Sequence, residues 1–486
     1  MEQKKGEMYF KEKCSNKGEV LKHLSKTTFL DHKNSAFYHG RLYKTSPPAP
    51  IVIWESSDNP RLDHESPEWL TASEFQDTNP VFQDKVERLL ALMRLSKKTV
   101  IYTGAGISTA AGVGQAARGC SKKSGGRSTD AQPTTTHMAL AALKEKGLVH
   151  TWIQQNHDGL PQKAGYPQED VVEIHGSWYD PSNPVVCYDG SLKPDLYGKM
   201  KDAADSADLV IVLGTSLSGL NSDLVAVNPS RRSLQGKSLG TVIINLQQTI
   251  HDGETSLRIF AETDKVFETL LSQLKMPLEV CPLLNTPEFK VLVPYSKNGK
   301  RSQKVNMYLD LSKGQKIKLN QDHNCQSAKQ PVYMHIGSKK PHVYRGSVRQ
   351  PGPGEGHVVR YSPKQGGWEI QIEGVSMLLG GWWLQAAVRG KLDSIPIVNS
   401  DPVILDQDGT AVGRSRFQAN ALKQESARLR LKSDSNESTK SQGSRLEPKS
   451  PTTTRSPSMT RKTERLQSTS SITSTRSSTS SSNASN

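Results

Sequence analysis

Five short runs carry residue types that could do chemistry together. Gly104-Ala105-Gly106-Ile107-Ser108 follows the apolar run TVIYT, and Gln155, Asn156 and Asp158 follow TWIQ. His175 follows VVEI; Gly214, Thr215 and Ser216 follow LVIVL; Asn245 follows TVII. Small residues let a backbone approach a pyrophosphate, and a helix start behind them offers N–H groups. Hydroxyls and amides at a strand end can bond phosphate or ribose. A histidine there can take a proton, since its ordinary pKa lies near neutrality. Singly each signal is weak. A Gly-x-Gly is often a plain turn, and a lone histidine is more often a half-buried structural group. Several such termini within one alternating domain are harder to dismiss.

That alternation spans residues 82–275. FQDKVERLLALMRLS places Val86, Leu89, Leu90 and Met93 at helical spacing, and HMALAALKEKGLV and DKVFETLLSQLK read as further helices. TVIYTG, ADLVIVLGTSL and TVIINLQ read as buried strands. Helices alternating with apolar strands imply a parallel sheet covered on both faces, with ligands beyond the carboxyl ends of the strands. The expected fold class is α/β, a Rossmann-like doubly wound parallel sheet over residues 76–275. A β-sandwich-like domain is expected over 285–400, from short runs such as KVLVPY, VNMYLDL, PVYMHIG, HVVRYS and WEIQIEG, with GGWWLQAAVRG continuing the sheet. His335, His342 and His357 are scattered there and form no constellation. Residues 1–75 are an N-terminal extension with little periodicity, which packs on the domain or wanders.

Bulk properties bound the rest. The chain has 486 residues, 34% of them hydrophobic, with a mean hydropathy of −0.59, so part of it is expected to be disordered. Its net charge is +15, and residues 411–486 hold 14 Lys and Arg against 5 Asp and Glu. Most of the charge therefore belongs to a disordered Ser/Thr-rich tail, which also carries Ser450-Pro451 and Ser456-Pro457 as phosphorylation candidates. Cys14, Cys120, Cys187, Cys281 and Cys325 lie far apart, which fits a reducing compartment rather than a disulfide framework. No apolar leader and no run of membrane-spanning length is visible, so a soluble intracellular protein without membrane partners is expected.

The order GAGIS, PTTTH, QN-x-DGL, EIHG, GTSL, IN resembles the sirtuin family of NAD-dependent protein-lysine deacylases, over residues 80–275. VIINLQQTIHDGETSLRIF is most similar to the nuclear, chromatin-associated branch. The resemblance implies that Gly104, Ala105, Gly106 and Ser108 lie along the NAD phosphates and ribose. It implies that Gln155, Asn156 and Asp158 line the nicotinamide and ribose pocket, with Asn156 and Asp158 sharing in catalysis. Gly214, Thr215 and Ser216 would hold the cofactor, Asn245 the adenosine ribose, and His175 would be the catalytic base.

Two stretches depart from the family. Where it has Gly-Ile-Pro-Asp-Phe-Arg after the glycine turn, this chain reads Gly112-Val113-Gly114-Gln115-Ala116-Ala117-Arg118, without the Asp and Phe. The family's structural zinc sits on two Cys-x-x-Cys pairs, yet between His175 and Leu209 there is only Cys187, so no metal site is expected. Leu196 and Tyr197 fall where the family has its acyl-lysine channel wall, and Lys199 stands where it has Glu. The leading expectation is a nuclear NAD-dependent deacylase moving an acyl group from lysine of a histone-like protein to ADP-ribose, its tail attaching loosely to nucleic acid or chromatin. The alternatives are a catalytically weak or inactive NAD-binding interaction module and, on the tail alone, a nucleic-acid-binding structural protein.

Overall fold

The computed structural model describes residues 16–60, 66–114, 128–186, 192–218, 223–278, 289–320 and 354–412, with the backbone of 332–333 and 342–343. Its centre is a six-stranded sheet of β3 (Thr99–Thr103), β4 (Thr151–Gln154), β5 (Val171–Glu173), β6 (Leu209–Leu213), β7 (Gly240–Ile244) and β8 (Leu257–Ile259). The spatial order is β5-β4-β3-β6-β7-β8, and every pairing is parallel. Every residue of β3, β6 and β7 is buried. Only a sheet covered on both faces tolerates such unbroken apolar runs. Because successive side chains point to opposite faces, Ile101 and Ile211 join one core cluster while Tyr102, Val210 and Val212 join the other.

Helices Asn79–Leu95, Thr135–Glu145 and Thr263–Leu274 cover the first face. Pro194–Ser206 and Leu224–Ser233 cover the second. The doubly wound sheet is thus as expected, and the direction of winding reverses between β3 and β6. Leu196 and Tyr197 lie on the helix Pro194–Ser206 and pack against the second core cluster.

The described part of the N-terminal extension packs on this domain. Helix Lys17–Leu24 places Val20 and Leu24 in the first core, with Leu42 beside them. The backbone N–H groups of Arg41 and Leu42 donate to Thr255 and Ser256 O, at the start of β8. Strands β1 (Ile51–Trp54) and β2 (Glu74–Gln76) pair antiparallel beyond it.

The β-rich region holds a two-stranded antiparallel pair, β12 (Val332–Tyr333) with β13 (His342–Val343), and two larger antiparallel sheets. One has the order β18-β10-β9 and contains β9 (Lys290–Val293), β10 (Asn306–Asp310) and β18 (Val403–Leu405). The other has the order β16-β15-β14-β11-β17 and contains β11 (Lys316–Leu319), β14 (Glu355–Ser362), β15 (Gly367–Ile372), β16 (Val375–Gly380) and β17 (Ile397–Asn399). Leu309, Trp368, Ile370, Leu379 and Trp383 share its core. One expectation is corrected: GGWWLQAAVRG does not continue the sheet but forms helix Trp382–Val388. Gly380 and Gly381 end the strand, and the helix-favouring Leu-Gln-Ala-Ala run then buries Trp383, Leu384 and Ala387. His357 is exposed on β14. The basic tail from residue 413, His335, the His342 side chain and all five cysteines lie outside the described residues. No described helix is long and apolar enough to cross a membrane.

Candidate functional site

Parallel register brings the chemistry-bearing termini to one edge. Thr103 pairs with Gln154 and Leu213, Gln154 with Glu173, and Leu213 with Ile244. The residues after these strands are Gly104, Gln155, Gly214 and Asn245, with His175 two positions past β5. All therefore sit at the carboxyl end of the sheet, and Gly104 and Gly214 flank the reversal point where such folds bind ligands.

The two glycine turns are locked together. Gly104 N–H donates to Leu213 O at 3.1 Å, and Gly106 N–H donates to Gly214 O at 2.8 Å. A Cβ on Gly104 would lie 2.6 Å from Thr215 Cβ, and one on Gly106 would lie 2.7 Å from Gly214 Cα. Glycine is therefore required here for the approach of two backbones. What this pair offers a ligand is closeness, since both N–H groups already have partners. Ala105 starts a 3-10 helix, Ala105–Ala111, where a helix start was expected. After Gly214, Leu217 is buried with φ +52°, a sparsely populated conformation for a bulky side chain. Its N–H donates to Thr215 Oγ1, which holds the Gly-Thr-Ser turn in shape.

A polar network joins three of the termini. Ser108 Oγ donates to Asp158 Oδ2 at 2.6 Å, and Asn156 Nδ2 donates to Gly104 O at 3.0 Å and Ser108 Oγ at 3.1 Å. Thr215 Oγ1 donates to Gln155 Oε1, and Gln155 Nε2 donates to the Tyr102 hydroxyl. Asp158 Oδ1 accepts from Leu160 N–H, so both its oxygens are held. Ser108 and Asp158 are fully buried, whereas Ala105, Gly106, Gln155, Ser216 and Asn245 are half-buried and reach the rim. Asn245 Nδ2 donates to Gln247 O, which folds it over its own loop.

His175 is brought to the same edge, where it is half-buried. Burial, aided by the neighbouring His157, pushes its pKa down to about 4, against a hydrogen bond with the Gln155 backbone. Its imidazole is therefore neutral at pH 7 and a weaker base than one poised near neutrality. The His157 and His175 rings lie 6.5 Å apart, and His157 Nδ1 meets Gly176 O at 3.0 Å. In the PTTTH run, His137 Nδ1 faces Thr134 Oγ1 at 2.8 Å and the ring stacks on Trp152. Its complete burial lowers its pKa to about 4.

Sequence reading missed three further groups at this edge. Burial raises Glu173 to about 8, so the carboxyl is protonated at pH 7 and accepts from Gln154 Nε2 at 3.0 Å. Lys163 Nζ donates to Thr129 O and Ala131 O, each at 3.0 Å, and burial lowers it to about 8. Tyr179 OH donates to Thr129 O at 2.7 Å. A Glu two positions before the histidine and a Lys in LPQK were visible, but their burial was not.

Residues 115–127, with Gln115, Ala116, Ala117 and Arg118, lie outside the described residues, as does Cys187. One thiolate does not make a four-thiolate site, and no group of three His, Cys, Asp or Glu among the described residues could hold a metal ion.

The Sir2 family model matches residues 120–187. The NAD-dependent protein deacetylase SRT1 of Arabidopsis thaliana is 28% identical over 274 residues, 47% of this chain and 56% of that protein. Sirtuin-7 of Bos taurus, also named an NAD-dependent protein deacetylase, is 28% identical over 46% of this chain and 68% of its own length. Drosophila melanogaster Sirt6 is 38% identical over 120 residues, 23% of this chain and 38% of that protein. The chain spans about half the length of SRT1 and of its rice counterpart, 56% and 52%. A solved structure titled "Sir2-p53 peptide-NAD+" aligns with a TM-score of 0.34 at 24% identity, covering 39% of this chain and 99% of that one. With the family model falling between the glycine turn and the strand after His175, and with relatives named as sirtuins, the chain is similar to the Sir2 family.

Proposed function

We propose that this chain is an NAD-dependent protein-lysine deacylase, carrying an acyl group from lysine to ADP-ribose. The observation behind it is that the glycine turns flanking the reversal point of one sheet are hydrogen-bonded with Gln155, Asn156 and Asp158, with His175 and Asn245 on the same carboxyl edge. The glycines let the two turns pack backbone against backbone, which brings both strand ends to one place. Gly104, Ala105, Gly106, Ser108, Gly214, Thr215 and Ser216 would hold NAD on that side, Gln155, Asn156 and Asp158 its nicotinamide half, and Asn245 its adenosine ribose. NAD, when bound, supplies an electrophilic ribose carbon and a leaving nicotinamide.

The protein's own groups then act by position and proton. Asn156 and Ser108 fix the Asp158 carboxylate, and the buried surroundings exclude water. Neutral His175 is in the form that accepts a hydroxyl proton, within an edge that holds its neighbours still. Structural zinc enters no step.

Substrates are proposed as acyl-lysine proteins of the nucleus, histone-like in charge, following the likeness of VIINLQQTIHDGETSLRIF to the nuclear branch of the family. The basic tail is proposed to hold nucleic acid or chromatin loosely. DNA binding that weakens with salt and disappears on truncation at Ala411 is the expected result, and unchanged binding would move the basic surface elsewhere. The activity itself is tested by incubating the full chain with NAD and an acetyl-lysine peptide and reading products by mass spectrometry. Deacetylated peptide with equimolar acetylated ADP-ribose is expected. A second reading, a non-catalytic NAD-binding module, is favoured by the missing Asp and Phe after Gly112. It predicts NAD-dependent thermal stabilisation of a chain that forms neither product.

A further inference from the structure

The WW pair in GGWWLQAAVRG divides two tasks. Consecutive helical residues point about 100° apart. Trp383 turns into the β-rich core, whereas Trp382 is half-buried and lies against the doubly wound domain. Its ring sits 5.1 Å from that of Tyr179, tilted by 57°. It also covers Gly159, where a Cβ would come within 3.1 Å of Trp382 Cζ2 and Cη2 and 2.9 Å of Tyr179 Cδ2. Gly159 has φ +64° and joins Asp158 to Leu160, whose N–H holds Asp158 Oδ1. Trp382 therefore packs one residue away from the carboxylate that anchors Ser108.

A second line of contact leads to the same place. Tyr179 O accepts from Gly380 N–H at 2.8 Å, while Tyr179 OH holds Thr129 O. Lys163 Nζ lies 4.9 Å from the Tyr179 ring centre and holds the Thr129 and Ala131 carbonyls. Thr129–Ala131 ends the segment that begins after the glycine turn at Gly112 and leads into the helix carrying His137. Gln365 Nε2 also donates to Thr129 Oγ1, at a long 3.5 Å, and the ion pairs Lys364 to Asp130 at 3.0 Å and Arg389 to Glu169 at 3.3 Å join side chains that are at least partly exposed. Such pairs contribute little, so the aromatic contact dominates.

We propose that Trp382 is a positioning residue of the cofactor edge, so that the β-rich region acts in cis by bracing Gly159 and, through Tyr179, the Thr129–Ala131 segment. The proposal rests on the NAD-dependent reading above. It goes beyond it in giving the β-rich region a role in the site. Trp382 touches no reacting atom and acts through Tyr179 and Gly159.

The test compares full-length wild type, Trp382→Ala and Trp382→Phe. Hydrogen exchange is read over residues 128–137 and 156–163, and steady-state nicotinamide release is read against NAD concentration. Trp382→Ala is expected to lose protection in both segments while β14–β16 keep theirs, because the β-rich core rests on Trp383. KM for NAD is expected to rise about fivefold with kcat within twofold, and Trp382→Phe to restore most of both. Unchanged protection in the two segments, an unchanged KM, or protection lost equally in β14–β16 would overturn the proposal. If wild type releases no nicotinamide, the activity reading fails. Unchanged exchange in Trp382→Ala then overturns the brace as well, and selective loss upholds it as a brace on that edge.

Discussion

The doubly wound domain and the β-rich region bury different things. The first, with the extension packed on it, hides ionisable groups throughout: the Asp77–Lys85 pair at 2.6 Å and the Asp252–Arg258 pair at 2.9 Å, both fully buried, besides Glu173, Lys163, His39 and His137, with His175 half-buried. The second, among its described residues, buries an apolar core with the amides Asn320, Gln365 and Asn399 and one carboxylate, Glu369, held by an exposed Arg360. Buried charge is costly to hold, and shifted groups gather where chemistry is done. The difference teaches that shifted ionisable groups gather in the region where the site is proposed, while the other region is held by apolar packing.

The comparison breaks first at Lys85. Its ammonium donates to Asp77 Oδ1 and Tyr38 O, and Asp77 in turn accepts from Phe260 N–H. Lys85→Met leaves Asp77 buried without its ion partner, and a loss of about 3–5 kcal/mol in urea unfolding is expected. A loss below about 1 kcal/mol would show that the pair is solvated and the contrast false.

Acid sharpens the contrast by a smaller amount. Burial lowers His39 to about 3 and His137 and His175 to about 4, while the unfolded groups titrate near 6.5. Between those values the unfolded chain binds more protons at these three groups, so their contribution is full above about pH 6.5 and falls as the pH drops toward 4. Glu173, raised from 4.5 to about 8, acts in the opposite sense and offsets one of the three. Hydrogen exchange, corrected for its intrinsic pH dependence, should show β3–β8 losing protection from pH 7 to pH 5 ahead of β14–β16. Equal loss in both regions would contradict the assignment of buried histidines to one of them.

Much of the first region was legible because its signals are local. A strand buried on both faces reads as an apolar run, and a glycine after it reads as a turn. The parallel register then forces Gly104, Gln155, Gly214 and Asn245 to one edge. What escaped was set by tertiary contact. The depressed basicity of His175 follows from burial, which a strand end does not declare. Nothing in SWYD or LPQK announces that Tyr179 and Lys163 hold Thr129. In the β-rich region, tryptophan and valine in WWLQAAV suggested a strand, but the two glycines before them stopped the sheet and the core selected a helix. The packing of residues 16–60 was illegible for the same reason: Val20, Leu24 and Leu42 complete a core that other segments define.

The central claim is that the strand ends form a working site with His175 as its base. It is tested most directly by the rate of nicotinamide release with saturating NAD and acetyl-lysine peptide at pH 7.5, wild type beside His175→Ala. The expected ratio is a hundredfold or more, with NAD-induced thermal stabilisation retained in the variant. Equal rates in the two proteins would contradict the account.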